Sequence, residues 1–298
     1  MTNLDSFLRE RAPADLSVLL LNIASTSLLV RRALPFTTKL TKEKNPSGER
    51  QTEIDVYSNE VFASSLLATG VVGEVASEEM DEARKGRGKV HVAMDPLDGS
   101  SNISTNNPLG SIFGFYSSDL PCSGAHLVGS AYVTYGPMLT LTFTTGKGVH
   151  TFVAVEGQEG NPFILMEENA VIPENPEVYG LGGLRREWVE PVEKFVSSLE
   201  ARGLKLRYGG TFVGDFNQVL RWGGIFGYPA LKNKPRGKLR VLYEAAPMGF
   251  IAKNAGGYAS NGVRDVLSVA PSALAETTPL YLGSKGLVKE AESLIGGS

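Results

Sequence analysis

Lys89-Val-His-Val-Ala-Met94 runs straight into Asp95-Pro-Leu-Asp-Gly-Ser-Ser-Asn102, and the reading of the chain turns on that junction. Its opening residues alternate in the strand manner. Pro96 cannot donate to a sheet ladder and Gly99 weakens one, so the two are expected to end the strand. A strand therefore delivers an acidic, glycine-containing turn. Within the turn proline fixes one φ, the Leu97 carbonyl can face inward as an oxygen ligand, and Gly99, Ser100 and Ser101 can offer backbone N–H groups to a phosphate. A helix starting here would add the positive end of its dipole.

Working outward, Leu16, Leu19, Leu20, Ile23, Ser27 and Val30 recur at helical spacing, with Asp15 placed as N-cap and Arg31 and Arg32 at the C-terminal end of the dipole. That pattern predicts an amphipathic core helix. Residues 37–52, with Asn45, Pro46, Ser47 and Gly48, read as a polar loop, followed by a helix over 58–67. Downstream, β-like runs at 111–116, 129–135, 139–144 and 149–155 are separated by glycine and proline, which suggests an antiparallel or mixed sheet. A composition shift at 167–177 marks a boundary between an N-terminal α+β unit, 1–168, and a C-terminal α/β unit, 169–298. Helices are expected beyond it over 187–202, 211–222 and 247–255, and a strand over 238–243. Strands followed by helices in each half argue for a layered α+β fold with mixed sheets.

Composition excludes several classes of function. Across 298 residues, 29 basic side chains against 32 acidic ones leave a net charge of −3. No strong positive field draws such a chain to nucleic acid or to an anionic membrane, and neither is expected as a partner. Cys122, alone, can form neither an intramolecular disulfide nor a Cys-rich zinc site, which points to a reducing compartment, the cytoplasm. The apolar run from Leu16 to Val30 is broken by Asn22, Ser25, Thr26 and Ser27 and is shorter than a membrane span, and the charges from Asp5 to Asp15 before it are unlike a signal peptide. None of His91, His126 and His150 lies in a nucleophile or metal motif. There is no P-loop, and Gly180-Leu-Gly-Gly-Leu-Arg185 lacks the third glycine of a dinucleotide fingerprint.

What remains is a grouping of carboxylates: Glu78 and Glu79 in Ser-Glu-Glu, Asp95 and Asp98 in the turn, and Glu244 after Lys238-Leu-Arg-Val-Leu-Tyr243. Each alone has an ordinary explanation, since Asp-Pro and Asp-Gly are common surface turns and Glu78-Glu79 continues into Asp81 and Glu82 as a solvated patch. Together they suit hard divalent cations. Mg²⁺ takes oxygen ligands in a tight octahedron and accepts phosphate oxygens to complete it.

The octapeptide Asp95–Asn102 resembles the signature of the lithium-sensitive, metal-dependent phosphatases. Four further segments, 48–59, 207–215, 223–230 and 237–248, narrow the resemblance to the class I fructose-1,6-bisphosphatases and their sedoheptulose-1,7-bisphosphatase relatives, over nearly the whole chain. The resemblance implies a layered α/β/α/β/α sugar-phosphatase fold. It implies two or three Mg²⁺ ions per subunit, replaceable by Mn²⁺, held by Glu78, Asp95, Asp98, Glu244 and the Leu97 carbonyl. By the same resemblance Asp55 and Glu79, with Asp98, orient and deprotonate the attacking water, and the 1-phosphate sits on Gly99, Ser100, Ser101, Asn102 and Arg240. Lys238 reaches the sugar and its phosphate, Tyr208 and Tyr228 the far phosphate, and Arg207 the far phosphate of a neighbouring subunit. A homo-oligomer, dimer or tetramer, acting on a small sugar bisphosphate follows from this.

There are departures. The family commonly has an Asn and a Tyr for the far phosphate where Gly182 and Arg185 stand, so part of that subsite is rebuilt, with Arg185 either a replacement ligand or a side chain pointing to solvent beside Arg186. Phe216-Asn217-Gln218 and Glu244-Ala-Ala-Pro-Met-Gly249 are closer to the sedoheptulose enzymes and Tyr228-Pro-Ala230 to the fructose enzymes, which leaves both substrates open. Where vertebrate-type relatives bind inhibitory AMP, this chain has Lys89, Val90 and Ser117, and only a weak response is expected. A non-catalytic sugar-phosphate sensor is the remaining alternative, disfavoured because every carboxylate is present.

Overall fold

Residues 2–37, 39–46, 48, 50–158 and 160–296 are described by the computed structural model of the chain. Ser47 and Glu49, which fall in the expected polar loop, lie outside the described residues. The larger sheet has eight strands. Their spatial order is Phe163–Glu167, His150–Ala154, Leu139–Thr144, Leu127–Tyr135, Leu109–Tyr116, Val90–Asp98, Val72–Ser77 and Arg84–Lys85. All neighbours are antiparallel except Val72–Ser77 with Val90–Asp98. The smaller sheet has five, in the order Lys205–Leu206, Val178–Leu181, Gly224–Tyr228, Leu280–Gly283 and Tyr258–Ser260, the first three parallel.

Successive strand residues point to opposite faces, and that parity builds the layers. From the larger sheet Val75, Val92, Met94, Phe113 and Phe115 face one core, shared with helices Leu4–Arg11, Ala14–Ala33 and Glu53–Ala68. Their neighbours Ala76, Ala93, Ile112 and Tyr132 face the opposite way, into a core shared with helices Phe212–Trp222 and Ala246–Asn254. Val178, Phe226, Leu280 and Leu282 of the smaller sheet close that middle core. Tyr179, Leu181, Ile225 and Tyr281 turn outward instead, under helices Glu190–Ala201 and Lys285–Gly296. The result is helix, sheet, helix, sheet, helix, the expected layered α+β architecture.

Several local expectations change. Pro96 does not end its strand, which continues to Asp98; the pairing shifts from Asp95 opposite Ile112 to Asp98 opposite Gly110, a bulge with one extra residue, where proline is tolerated. The helix expected over 58–67 begins at Glu53, and the polar loop before it contains an antiparallel pair, Leu40–Lys44 with Arg50–Thr52. Pro13, not Asp15, is the N-cap of Ala14–Ala33, and Asp15 sits in the first turn, where negative charge favours the dipole. By length and composition the helical stretch 14–36 passes for a membrane span, with mean hydropathy 1.4. In the fold, however, Leu16, Leu19, Leu20, Ile23 and Val30 are buried in the first core, and Asn22 Nδ2 donates to the Ser65 carbonyl at 3.3 Å. It is a core helix.

Candidate metal and phosphate site

Each acidic side chain is placed by a local device. Thr52 caps helix Glu53–Ala68: its Oγ1 accepts from the Asp55 N–H at 3.3 Å, while Asp55 Oδ2 accepts from the Thr52 N–H at 2.6 Å and from Oγ1 at 2.7 Å. This reciprocal capping box fixes Asp55 at the mouth of the helix. Glu78 and Glu79 follow strand Val72–Ser77, with the Glu79 N–H donating to Ser77 Oγ at 3.2 Å. In the bulged turn Asp95 Oδ1 accepts from the Leu97 N–H at 3.0 Å, and Gly99 takes φ +77°, a left-handed conformation that a glycine adopts without strain.

Glu244 arrives differently from the expectation. The strand forecast over 238–243 is only Leu239–Arg240, and Val241–Ala245 winds as a π-helical turn into helix Ala246–Asn254. Such turns recur at functional sites. Here the turn folds Glu244 back on its own chain, its Oε2 accepting from the Arg240 N–H at 2.7 Å. The Arg240 guanidinium, itself buried, reaches Glu78 Oε1 at 2.8 Å and ties the two segments together.

Carboxylate oxygens of Glu78, Asp95 and Glu244 thereby lie within 4.8 Å of one another. Asp98 stands beside this triple, its Oδ2 accepting from the Val213 N–H at 2.8 Å at the start of helix Phe212–Trp222. Around them is a cavity of about 480 Å³ that also holds Asp55, Glu79, Leu97, Gly99, Ser100, Ser101, Tyr208, Tyr228, Lys238 and Arg240. Among the described residues seven carboxylates line it against two cations, Lys238 and Arg240.

So much negative charge out of water is unfavourable unless neutralised. Burial, then Glu78, Asp98 and Glu244, holds the Asp95 carboxyl well above the usual range. Asp98 is pushed up to about 7, first by burial, against the pull of the Val213 and Phe212 N–H groups. Glu79 is raised by burial, opposed by hydrogen bonds from Gln51 and Asn45. These residues fit a divalent cation: an all-oxygen donor set, converged and under-neutralised. The other trio of ligand type, Glu74, His91 and Asp119, is different, because Glu74 is already bonded by Lys85, by His91 Nδ1 and by the Leu120 N–H.

Part of the lining is aromatic. Phe226 stacks on Phe212 at 4.7 Å and on Tyr208 at 6.5 Å, and Lys238 Nζ lies 5.8 Å from the Tyr228 ring centre. Three predicted residues lie outside the lining. Arg185, expected as a ligand of the far phosphate, is half-exposed and pairs with Glu193, at 2.7 Å, and Glu200. Asn102 is spent on the carbonyls of Gly209, at 2.8 Å, and Pro108, at 3.3 Å. Arg207 is exposed, after strand Lys205–Leu206. Sequence reasoning missed Asn45, Thr211 and Asp215 as lining residues. The pair Gly209-Gly210 before the N-cap Thr211 was the available signal for the last two.

The chain matches the family model "Fructose-1-6-bisphosphatase, N-terminal domain" over residues 8–168 and "Fructose-1-6-bisphosphatase, C-terminal domain" over 172–296. It is 42% identical over 276 residues to a "Fructose-1,6-bisphosphatase class 1" of Natronomonas pharaonis, covering 92% of this chain and 96% of the relative. A protein of the same name from Methanocorpusculum labreanum is 40% identical over 285 residues, covering 95% and 88%. Among solved structures, Leishmania major fructose-1,6-bisphosphatase in holo form superposes with TM-score 0.93 at 29% identity, covering 98% of each chain.

Proposed function

The chain belongs to the fructose-1,6-bisphosphatase family and is a phosphatase of that type, and on that premise we propose that it hydrolyses the 1-phosphate of fructose 1,6-bisphosphate with Mg²⁺. The carrying observation is one cavity lined by an acidic cluster, a glycine turn, Tyr208, Tyr228 and Lys238. Such a site suits a short, doubly anionic substrate. Glu78, Asp95, Asp98, Glu244 and the Leu97 carbonyl would hold the cations, which supply the positive charge that in-line phosphoryl transfer needs at its entering and leaving oxygens.

The chain's own residues do the rest. Gly99, Ser100 and Ser101 present backbone N–H groups to the phosphate under attack, and Arg240 adds a guanidinium fork. Glu79, whose carboxyl is raised toward neutrality, is suited to take a proton from the attacking water. Asp55 Oδ2 is held by Thr52, which orients this carboxylate for the same water. Tyr208 and Tyr228 hold the far phosphate by hydroxyl donation, and Lys238 by charge.

The alternative seven-carbon substrate loses one of its arguments. Asn217, in the segment closer to the sedoheptulose enzymes, packs against the larger sheet, where Tyr132 Oη donates to its Oδ1 at 2.6 Å and its Nδ2 donates to Thr134 at 3.0 Å. Tyr228, closer to the fructose enzymes, lines the cavity. We further place the enzyme in the cytoplasm as a homo-oligomer in which the exposed Arg207 serves a neighbouring site. A phosphate-release panel over fructose 1,6-bisphosphate, sedoheptulose 1,7-bisphosphate and inositol 1-phosphate with Mg²⁺ tests the reading. Fructose 1,6-bisphosphate should give the highest kcat/KM, and activity that survives excess EDTA would refute it.

A further inference from the structure

One peptide joins the turn that follows Gly99 to the Tyr208 loop and to helix Phe212–Trp222. The Gly209 carbonyl accepts from Asn102 Nδ2 at 2.8 Å, and the Gly209 N–H donates to Asp215 Oδ1 at 2.6 Å. Gly210 adds a bond from its N–H to Asp215 Oδ2 at 3.3 Å. Asn102 belongs to the short 3₁₀ turn Ser100–Thr105 that continues from Gly99, Gly209 directly follows Tyr208, and Asp215 sits in the first turns of helix Phe212–Trp222. The near-phosphate turn therefore grips the Tyr208 loop on one side while the helix grips it on the other.

Two more contacts run along the same seam. Asp98 Oδ2 accepts the Val213 N–H at 2.8 Å, and Gly99 packs so closely on Thr211 that an added Cβ would lie 2.1 Å from its Cγ2. Glycine is needed in the gripped loop as well, since Gly210 takes φ +83°. Asp215 is buried, and both of its oxygens are committed to these amides. Neither its position nor its bonding is explained by packing alone.

We infer that Asn102, Gly209 and Asp215 form a clamp that sets the span between the Gly99–Ser101 turn and Tyr208, so that the site selects substrates carrying a phosphate at each end. This rests on the proposed sugar-bisphosphatase function. A substrate anchored at both ends gains from its second anchor only when the two subsites are held at its own length, and a displacement of about 1 Å can cost on the order of 100-fold. Asn102 and Asp215 are positioning residues, acting through the Gly209 peptide on Tyr208. A substrate with a phosphate at the near end only never engages that span.

The test compares Asn102→Ala, Asp215→Ala, Asp215→Asn and the double alanine variant on fructose 1,6-bisphosphate and on fructose 1-phosphate, with Ki for fructose 1-phosphate as a competitor where its turnover is slow. Either alanine should raise KM for the bisphosphate about tenfold or more, a clearly larger factor than its effect on the fructose 1-phosphate parameters. Asp215→Asn keeps an oxygen for the Gly209 N–H and should recover most of the loss. The double variant should be little worse than either single one, because both grip the same peptide. Should Asp215→Ala fail to fold, the half-buried Asn102 carries the test. Equal losses on both substrates, or no change in bisphosphate KM, would overturn the clamp. A wild type that does not cleave the bisphosphate with Mg²⁺ would instead overturn the proposed function, and the clamp's role with it.

Discussion

Replacing Asp98 by Asn should make the metal-free protein more stable at neutral and alkaline pH while nearly abolishing turnover. Asp98 is only 8% exposed, and burial pushes its carboxyl from 3.8 up to about 7, with Glu244 and Asp215 adding to the rise and two backbone N–H groups opposing it. A carboxyl with a higher pKa in the folded than in the unfolded chain favours folding while protonated. That contribution is complete below pH 3.8 and is lost as the pH climbs through about 7. At about 1.36 kcal/mol per unit, ionising Asp98 removes up to about 4 kcal/mol. Asparagine keeps an oxygen for the Val213 N–H and carries no charge, so it escapes the loss. Unfolding followed in EDTA should show the two proteins alike near pH 4 and separating as pH rises, with Asp98→Asn ahead by about 2–4 kcal/mol near pH 8, or about 5–10 °C in Tm. Adding Mg²⁺ at about a thousandfold excess over Kd should close or reverse the gap, since a cation that binds only the folded wild type then adds about 4.1 kcal/mol. A variant no more stable than wild type near pH 8 in EDTA would refute the reasoning.

Gly182→Ala should raise bisphosphate KM about tenfold with kcat little changed, because its Cβ would lie 2.4 Å from Tyr228 Cδ2 and Cε2 and 2.8 Å from Tyr208 Oη, so the ring must move; steady-state kinetics check this. Mixing Arg207→Ala with Asp98→Asn subunits should restore part of the lost bisphosphate affinity through hybrid sites that pair an intact acidic cluster with a neighbour's arginine. No recovery after verified subunit exchange would place Arg207 outside the site.

Legibility followed the range of each interaction. The carboxylates could be read because their placement is short-range: Glu78 directly follows strand Val72–Ser77, Asp95 lies within strand Val90–Asp98, and Asp95 is fixed by a bond two residues away. Thr52 and Asp55 were also within reach, as a threonine three residues before an acid is a helix-start signal; the turn-forming residues before them masked it. The bulge at Pro96 could not be read, because it exists only against the partner strand Leu109–Tyr116. The pairing of Arg185 could not be read either, because helix Glu190–Ala201 sets Glu193 and Glu200 on one face, seven residues apart, beside the guanidinium. Asn102 was assigned to the phosphate because its neighbours in sequence are phosphate-binding types, whereas its partner, the Gly209 carbonyl, lies 107 residues away. Sequence pattern thus identifies which groups carry the chemistry. The spacing between the Gly99–Ser101 turn and Tyr208 depends on long-range bonds to a glycine peptide, whose only trace in the sequence is Gly209-Gly210 before a helix cap. If that spacing sets bisphosphate selectivity, a close relative that keeps every carboxylate but loses Asn102 or Asp215 should retain phosphatase chemistry and relax its substrate length.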